Sequence, residues 1–264
     1  MASYDYSNNM KYKEAFNLSG KVALITGASK GIGEAIAHCF AAYGARVIIN
    51  SRKQEELDKV AKTIREAGGE CTGIAANAAD TDSCKDLIKK VVSEFGGIDI
   101  LVNNAATNPV YGPILESPEW AFDKIMGVNL KAPLALANLA HPHMKTRGGG
   151  AVINISSIAG LTPDPGLGLY SVSKAALNML TKVQAKEWGK DGIRVNSICP
   201  GLIKTKFSEA LWSNEAILNR MVSKLPIARM GTVEEIASLV LYLASPASGY
   251  CTGAVFTADG GTVL

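Results

Sequence analysis

A chain of 264 residues, 47% hydrophobic and 19% charged, is long enough to bury one large core. The formal net charge is only +3, with Lys and Arg scattered rather than gathered into a stripe, so no nucleic-acid partner is expected. No apolar run reaches the length of a membrane span, and the opening MASYDYSNNMKYKEAFNLSG has no apolar signal core. The expectation is a cytoplasmic protein without a membrane partner, carrying a flexible N-terminal tail over residues 1–17.

In chain order, KVALIT (21–26) predicts a first strand, GASKGIG a turn and EAIAHCFAAYG a helix. RVIIN (46–50) predicts a second strand, and QEELDKVAKTIREAGG a charged amphipathic helix stopped by two glycines. ECTGIAA reads as a third strand. TDSCKDLIKKVVSEFGG reads as a third helix, N-capped at Thr81 or Asp82, and IDILVNN as a fourth strand. A long helix is expected from about Pro118 to about His141, then AVINISS as a strand, a Pro/Gly-rich loop to Gly168, and a helix from about Tyr170 to Gly189. IRVNSICPG (strand), VEEIASLVLYLAS (helix) and AVFTADGG (strand) close the pattern.

Apolar strands alternating with helices predict an α/β fold: a single-domain, doubly wound parallel sheet of about seven strands with helices on both faces, spanning 18–264. The stretch 201–230 is the least periodic. Its Phe207, Leu211, Trp212 and Met221 suggest a substrate lid, with a weakly periodic helix pair as the alternative. The five cysteines (Cys39, Cys71, Cys84, Cys199, Cys251) contain no CxxC pair and read as reduced thiols. His141 and His143 have no acidic or cysteine partner nearby in sequence, so no metal is expected.

TGASKGIG (26–33) lies between a strand and a helix. That context turns a weak glycine string into a candidate dinucleotide turn. Gly27 permits a tight bend, Gly31 and Gly33 permit close approach to a pyrophosphate, and Ser29, Lys30 and Ile32 fill the turn. The helix start offers free N–H groups and a positive dipole end to phosphates. An acidic residue closing the second strand would grip the ribose of NAD, but INSRKQ has no carboxylate from Ile48 to Lys53. Ser51 and Arg52 can instead hold a 2′-phosphate, with Lys30 as a second positive charge, which favours NADP(H).

The ordered motifs identify the chain as resembling the short-chain dehydrogenase/reductase family, whose members have a Rossmann fold, from about residue 18 to the end. TGASKGIG resembles the family's cofactor turn, and NNAA (103–106), with Asn104 and Ala105, its NNAG segment. PGLIKT (200–205) resembles the segment that holds the nicotinamide end through Pro200, Gly201, Ile203 and Thr205, and ADGG (258–261) the C-terminal signature. Asn77, followed by Ala78, stands where many members carry an Asp against the adenine amino group. Asn129, Ser157, Tyr170 and Lys174 match the catalytic tetrad.

The resemblance implies that Tyr170 is the proton donor and that Lys174, four residues on and therefore on the same helix face, lowers its pKa and binds the nicotinamide ribose. It further implies that Ser157 polarises the substrate carbonyl and that Asn129 holds a water linking Lys174 to solvent. NAATNPVYG, INSRKQ and GLIKTKFSEALW look most like NADP(H)-dependent carbonyl reductases of the dehydrogenase/reductase member 4 type. The expected reaction joins NADP(H) to a neutral, hydrophobic ketone, aldehyde or secondary alcohol. Residues 107–111, 158–169 and 207–221 would wall the pocket. Reduction of a 3-oxoacyl thioester is the alternative, and a non-catalytic NADP(H)-binding sensor a remote one. A homotetramer, or a homodimer, is expected by resemblance. The ending TVL gives no support to a peroxisomal address.

Overall fold

The computed structural model describes residues 10–213, 215–223 and 225–264. Seven strands form one sheet in the order β3-β2-β1-β4-β5-β6-β7. They are β1 Val22–Thr26, β2 Arg46–Ser51, β3 Glu70–Ala75, β4 Ile100–Asn103, β5 Gly150–Ile155, β6 Ile193–Pro200 and β7 Val255–Ala258. Every pairing is parallel, in a register that sets Leu24 beside Ile48 on one side and Leu101 on the other. The chain winds outward from β1 to β3, then crosses back to β4 on the other side of β1. That reversal opens a crevice between the carboxyl ends of β1 and β4.

Period-two alternation builds both halves of the core. From β1, Ala23 and Ile25 join the face packed with α2 (Gly31–Ala42), α3 (Gln54–Glu66) and α10 (Val233–Ala244), contributing beside Phe40, Leu57 and Val240. Val22 and Leu24 point the other way, toward Leu87 and Val91 of α4 (Thr81–Phe95) and Leu136 and Met144 of α6 (Ala132–Thr146). The remaining helices are α1 (Met10–Glu14), α5 (Glu119–Met126), α7 (Gly168–Trp188), α8 (Glu209–Trp212) and α9 (Glu215–Val222). No described helix is long and apolar enough to cross a membrane.

Several boundaries differ from the sequence expectation. The cap of α4 is Asp80, whose carboxylate accepts from the Ser83 amide at 2.7 Å, not Thr81 or Asp82, which are already helical. The long helix does not stop near His141. It runs to Thr146 despite Pro142, and a π turn at Gly127–Lys131 interrupts it between α5 and α6. The helix expected from Tyr170 begins at Gly168. β5 ends at Ile155, so Ser156 and Ser157 stand in the loop beyond the ladder.

Of the expected tail, residues 1–9 lie outside the described residues. Beyond α1, Ala15 accepts from the Ala247 amide at 2.9 Å and Phe16 lies 6.4 Å from Tyr242, ring to ring. In the 201–230 stretch, α8 and α9 form two short helices; Asn214, Lys224 and the side chain of Leu211 lie outside the described residues.

Candidate active site

Because all seven strands are parallel, the loops that follow them gather on one edge of the sheet, and the site residues named from the sequence follow those strands. Gly27, Ser29 and Lys30 fill the turn after β1, and Gly31, Ile32 and Gly33 open α2. Ser51 ends β2 with Arg52 exposed just beyond it; Asn77 and Ala78 follow β3. Asn104 and Ala105 follow β4. Pro200 ends β6, and Gly201, Ile203 and Thr205 come after it.

The glycine turn is closed tightly at Gly27 and Gly33. Gly27 (φ +64°) and Gly31 (φ +63°) occupy the left-handed region. A Cβ on Gly27 would sit 2.8 Å from the Cα of Ala105, and one on Gly33 2.5 Å from Asn104 Nδ2 and 2.6 Å from the Gly27 carbonyl oxygen. The Asn104 amide locks the bend by donating to the carbonyls of Thr26 (2.9 Å) and Gly27 (3.0 Å). Thr26, which the sequence reading passed over, is the other clamp. Its hydroxyl accepts from the amides of Asn104 (3.1 Å) and Ala105 (3.2 Å) and donates to the Val102 carbonyl (3.3 Å). Its position at the end of a buried strand was the available signal.

The segment after β6 is pinned at both ends. Gly201 donates to the Ala258 carbonyl at 3.0 Å, while Gly231 exchanges backbone bonds with Leu202 (3.0 Å) and Lys204 (3.2 Å). This brings Thr205 to the glycine turn: its Cγ2 lies 3.5 Å from where a Cβ of Gly31 would be. A tight glycine turn, at a helix N-terminus in the switch crevice, fits a dinucleotide pyrophosphate. The Asn77 Oδ1 accepts from the Ala79 amide at 3.2 Å, an Asx-type turn that fixes the loop after β3.

Tyr170 and Lys174 leave α7 one turn apart and are both buried, at 8% and 1% exposure. The Lys174 ammonium donates to the Ile155 carbonyl at 2.8 Å and lies 5.6 Å from the centre of the Tyr170 ring. Burial pushes the phenol up to about 12, partly offset by a hydrogen bond with the Ser157 hydroxyl, and pushes the ammonium down to about 8. The lowered phenol expected from the sequence is therefore not a property of the chain by itself. Desolvation is the largest cause acting on the phenol, and the Lys174 ammonium is engaged by the Ile155 carbonyl.

The two adjacent serines have different surroundings. Ser156 is buried and donates to the Lys174 carbonyl at 3.1 Å, whereas Ser157 partners Tyr170 and accepts from the Ala159 amide at 3.1 Å. Asn129 sits in the π turn, fully buried. Its side chain accepts from the Thr107 amide (2.8 Å) and donates to the Thr107 carbonyl (3.0 Å) and the Ser173 hydroxyl (3.0 Å). The side-chain amide is thus held by the Thr107 backbone and by Ser173, inside the π turn.

Around the pocket mouth, Phe207 approaches Tyr170 with ring centroids 6.2 Å apart. Tyr111 lies flat on Gly166, where an added Cβ would come within 2.7 Å of the ring. Trp212 donates its indole N–H to the Thr205 carbonyl at 3.0 Å. His141, read from the sequence as lacking an acidic partner, meets Asp191 at 3.0 Å, because the fold brings the end of α7 beside it, and packs 4.9 Å from the Trp188 ring; no group of three or more His, Cys, Asp or Glu able to hold a metal occurs among the described residues.

Loops gathered at the carboxyl edge around a glycine turn are the layout of Rossmann-type oxidoreductases, and known proteins narrow that class. A family model described as enoyl-(acyl carrier protein) reductase matches residues 27–263. The dehydrogenase/reductase SDR family member 4 of Sus scrofa is 42% identical over 93% of this chain and 88% of its own. L-sorbose reductase from Gluconobacter frateurii, solved with NADPH and L-sorbose, superposes with a TM-score of 0.89 at 36% identity, covering 94% of this chain and 98% of its own. A 7α-hydroxysteroid dehydrogenase, solved with NADH and a 7-oxo bile acid, gives a TM-score of 0.91 at 32% identity, covering 94% of this chain and 97% of its own. The chain belongs to the short-chain dehydrogenase/reductase family.

Proposed function

We propose that the protein is an NADP(H)-dependent carbonyl reductase or alcohol dehydrogenase acting on a neutral, hydrophobic ketone or aldehyde. The observation that carries this reading is the convergence of Ser157, Tyr170 and Lys174 at the end of the sheet that bears a tight glycine turn, which Thr205 adjoins. The glycine turn, the segment Pro200–Thr205, Asn104 and Ala105 would hold the cofactor, and a nicotinamide bound there supplies or accepts the hydride.

The chain's own work is to orient the carbonyl and manage its proton. The Ser157 hydroxyl, on the turn beside the phenol, donates to the substrate oxygen and polarises it. Tyr170 holds its proton at neutral pH, since burial keeps the phenol high, and releases it from Oη as alkoxide character develops. The neighbouring Lys174 ammonium stabilises the phenolate left behind. Asn129 keeps the loop at Thr107 fixed to α7 through Ser173, so that the pocket wall and the proton donor keep their spacing.

The choice of NADP(H) rests on Ser51, Arg52 and Lys30: Arg52 and Lys30 are exposed on the cofactor edge, and no carboxylate closes β2. The member 4 relative supports the carbonyl-reductase reading, as does the family's sorbose reductase with its NADPH. The apolar exposed residues Phe122, Leu134, Val172, Met179 and Val183 on α5, α6 and α7 favour a homo-oligomer, a tetramer by preference. The family model's description keeps the thioester alternative in view.

NADPH oxidation followed across a panel of ketones, diketones and ketoacyl thioesters tests the assignment. Turnover of hydrophobic ketones that vanishes in Tyr170→Phe is the expected result. Activity confined to ketoacyl thioesters would transfer the assignment to the alternative.

A further inference from the structure

Beneath the Ser157–Tyr170 pair lies a buried polar layer that the proposed chemistry does not use. Asn178 follows Lys174 by one helical turn and projects from the same face of α7. It is 6% exposed, and its Oδ1 accepts from the fully buried Ser197 hydroxyl of β6 at 2.8 Å. Its Nδ2 donates to the Gly160 carbonyl at 3.4 Å, and the Cys199 thiol contacts both amide atoms at 3.6–3.7 Å. One amide therefore ties together α7, the end of β6 and the turn that carries Ser157.

That turn rests directly on the helix. A Cβ on Gly160 would lie 2.7 Å from the Lys174 carbonyl carbon, and the Gly160 amide donates to the Ser157 carbonyl at 3.0 Å. Ser157 and Gly160 consequently move as one unit. The Gly160 contact is long and individually weak, but the short Ser197 bond fixes the amide and hence its aim.

We propose that Asn178 is a positioning residue, which sets the separation of the Ser157 hydroxyl from the Tyr170 phenol by holding the Ser157–Gly160 turn against α7 and the end of β6. The geometric part stands alone; its catalytic consequence rests on the carbonyl reduction proposed above.

The test reads the phenol directly, by NMR of 13C-labelled tyrosine at Cζ in the full chain. Tyr170→Phe assigns the resonance, and Ser157→Ala gives its position when the hydroxyl partner is gone. Asn178→Ala is expected to move the Tyr170 resonance at least half of the way toward the Ser157→Ala position. Asn178→Asp, which keeps the acceptor for Ser197 but cannot donate to Gly160, is expected to do the same. With an active ketone substrate, Asn178→Ala should lower kcat about ten- to a hundredfold, with the NADPH Kd within about twofold of wild type.

An unmoved Tyr170 resonance alongside a lowered Tm would overturn the proposal and leave Asn178 a stabilising residue only. Should Asn178→Ala fail to fold, Ser197→Ala decides in its place, since it frees the amide's aim; there too an unmoved resonance overturns the proposal. A wild-type chain that reduces no carbonyl defeats the functional reading, while the resonance still decides the positioning.

Discussion

The cofactor edge and the 201–230 stretch meet at Thr205, yet they are held by different means. The glycine turn is built from backbone: contacts leave no space for a Cβ at Gly27 or Gly33, two left-handed glycines bend it, and Thr26 and Asn104 lock it. The 201–230 stretch is anchored near its ends by backbone bonds, Gly201 to Ala258 and Ile227 to Gly260, but side chains hold it in between, around two short helices. Ser208 donates to the Ile203 carbonyl at 2.6 Å, Trp212 reaches the Thr205 carbonyl, and Phe207 is left 61% exposed. A backbone-locked cradle thus adjoins a flap whose middle is held by a few side-chain bonds. The two regions should therefore answer mutation differently.

The largest effect is expected at Tyr170, which Phe207 of the 201–230 stretch approaches. Tyr170→Phe should lower kcat about 10²- to 10⁴-fold, the usual scale for a lost general acid, without changing NADPH binding measured by fluorescence. A variant of wild-type activity would show that the phenol is only a packing residue against Phe207.

Lys174 sharpens the account from the side of stability. Its folded value of about 8 lies below the ordinary 10.5, so between these two values the unfolded chain binds the proton and the folded chain does not. Stability must then rise with pH across that window, by on the order of 3 kcal/mol from this group. Chemical denaturation of wild type and Lys174→Met from pH 7.5 to 10.5 isolates the contribution as the difference in slope. Parallel pH dependences would mean that the ammonium is better solvated than its burial implies.

On the cofactor edge, Gly33→Ala should cost about 1–3 kcal/mol of stability, because the new methyl meets backbone and the Asn104 amide rather than a flexible side chain. NADPH affinity should fall with it, read by calorimetry on the folded fraction. Arg52→Ala leaves the cradle intact and should weaken NADPH about ten- to a hundredfold while NADH changes little, the scale of a lost charge-assisted hydrogen bond. Equal losses for the two cofactors would remove the 2′-phosphate role.

The contrast also explains what could be read from the sequence. Strand–helix alternation made the sheet legible, since the central strands β1 and β4 are buried along their whole length and largely apolar, while the edge strands β3 and β7 are only partly buried. Gly27 and Gly31 were legible because no other residue is comfortable where they sit. Tyr170 and Lys174 were legible as a helical pair, but their titration was not, because it depends on the Ile155 carbonyl and on desolvation. The π turn at Asn129 left no periodic trace; it sits inside an otherwise continuous helical pattern. Asn178 and Ser197 are small polar residues inside apolar patterns, and their pairing exists only once β6 and α7 pack together.

The smallest effect should come from the flap, and it tests the comparison most finely. In Trp212→Phe an aromatic ring remains under the Lys204 ammonium, which lies 5.4 Å from the indole, but the donor to Thr205 is lost. One neutral hydrogen bond is worth about 1 kcal/mol, so the ketone KM should rise less than about tenfold with Tm nearly unchanged. Hydrogen exchange should quicken in 201–213 and stay as in wild type at 26–33, since Gly31 meets only the Thr205 methyl and the turn keeps its own locks at Thr26 and Asn104. Faster exchange spreading into the glycine turn would show that the flap and the cradle form one cooperative unit, and that the rigid edge depends on the flap it was contrasted with.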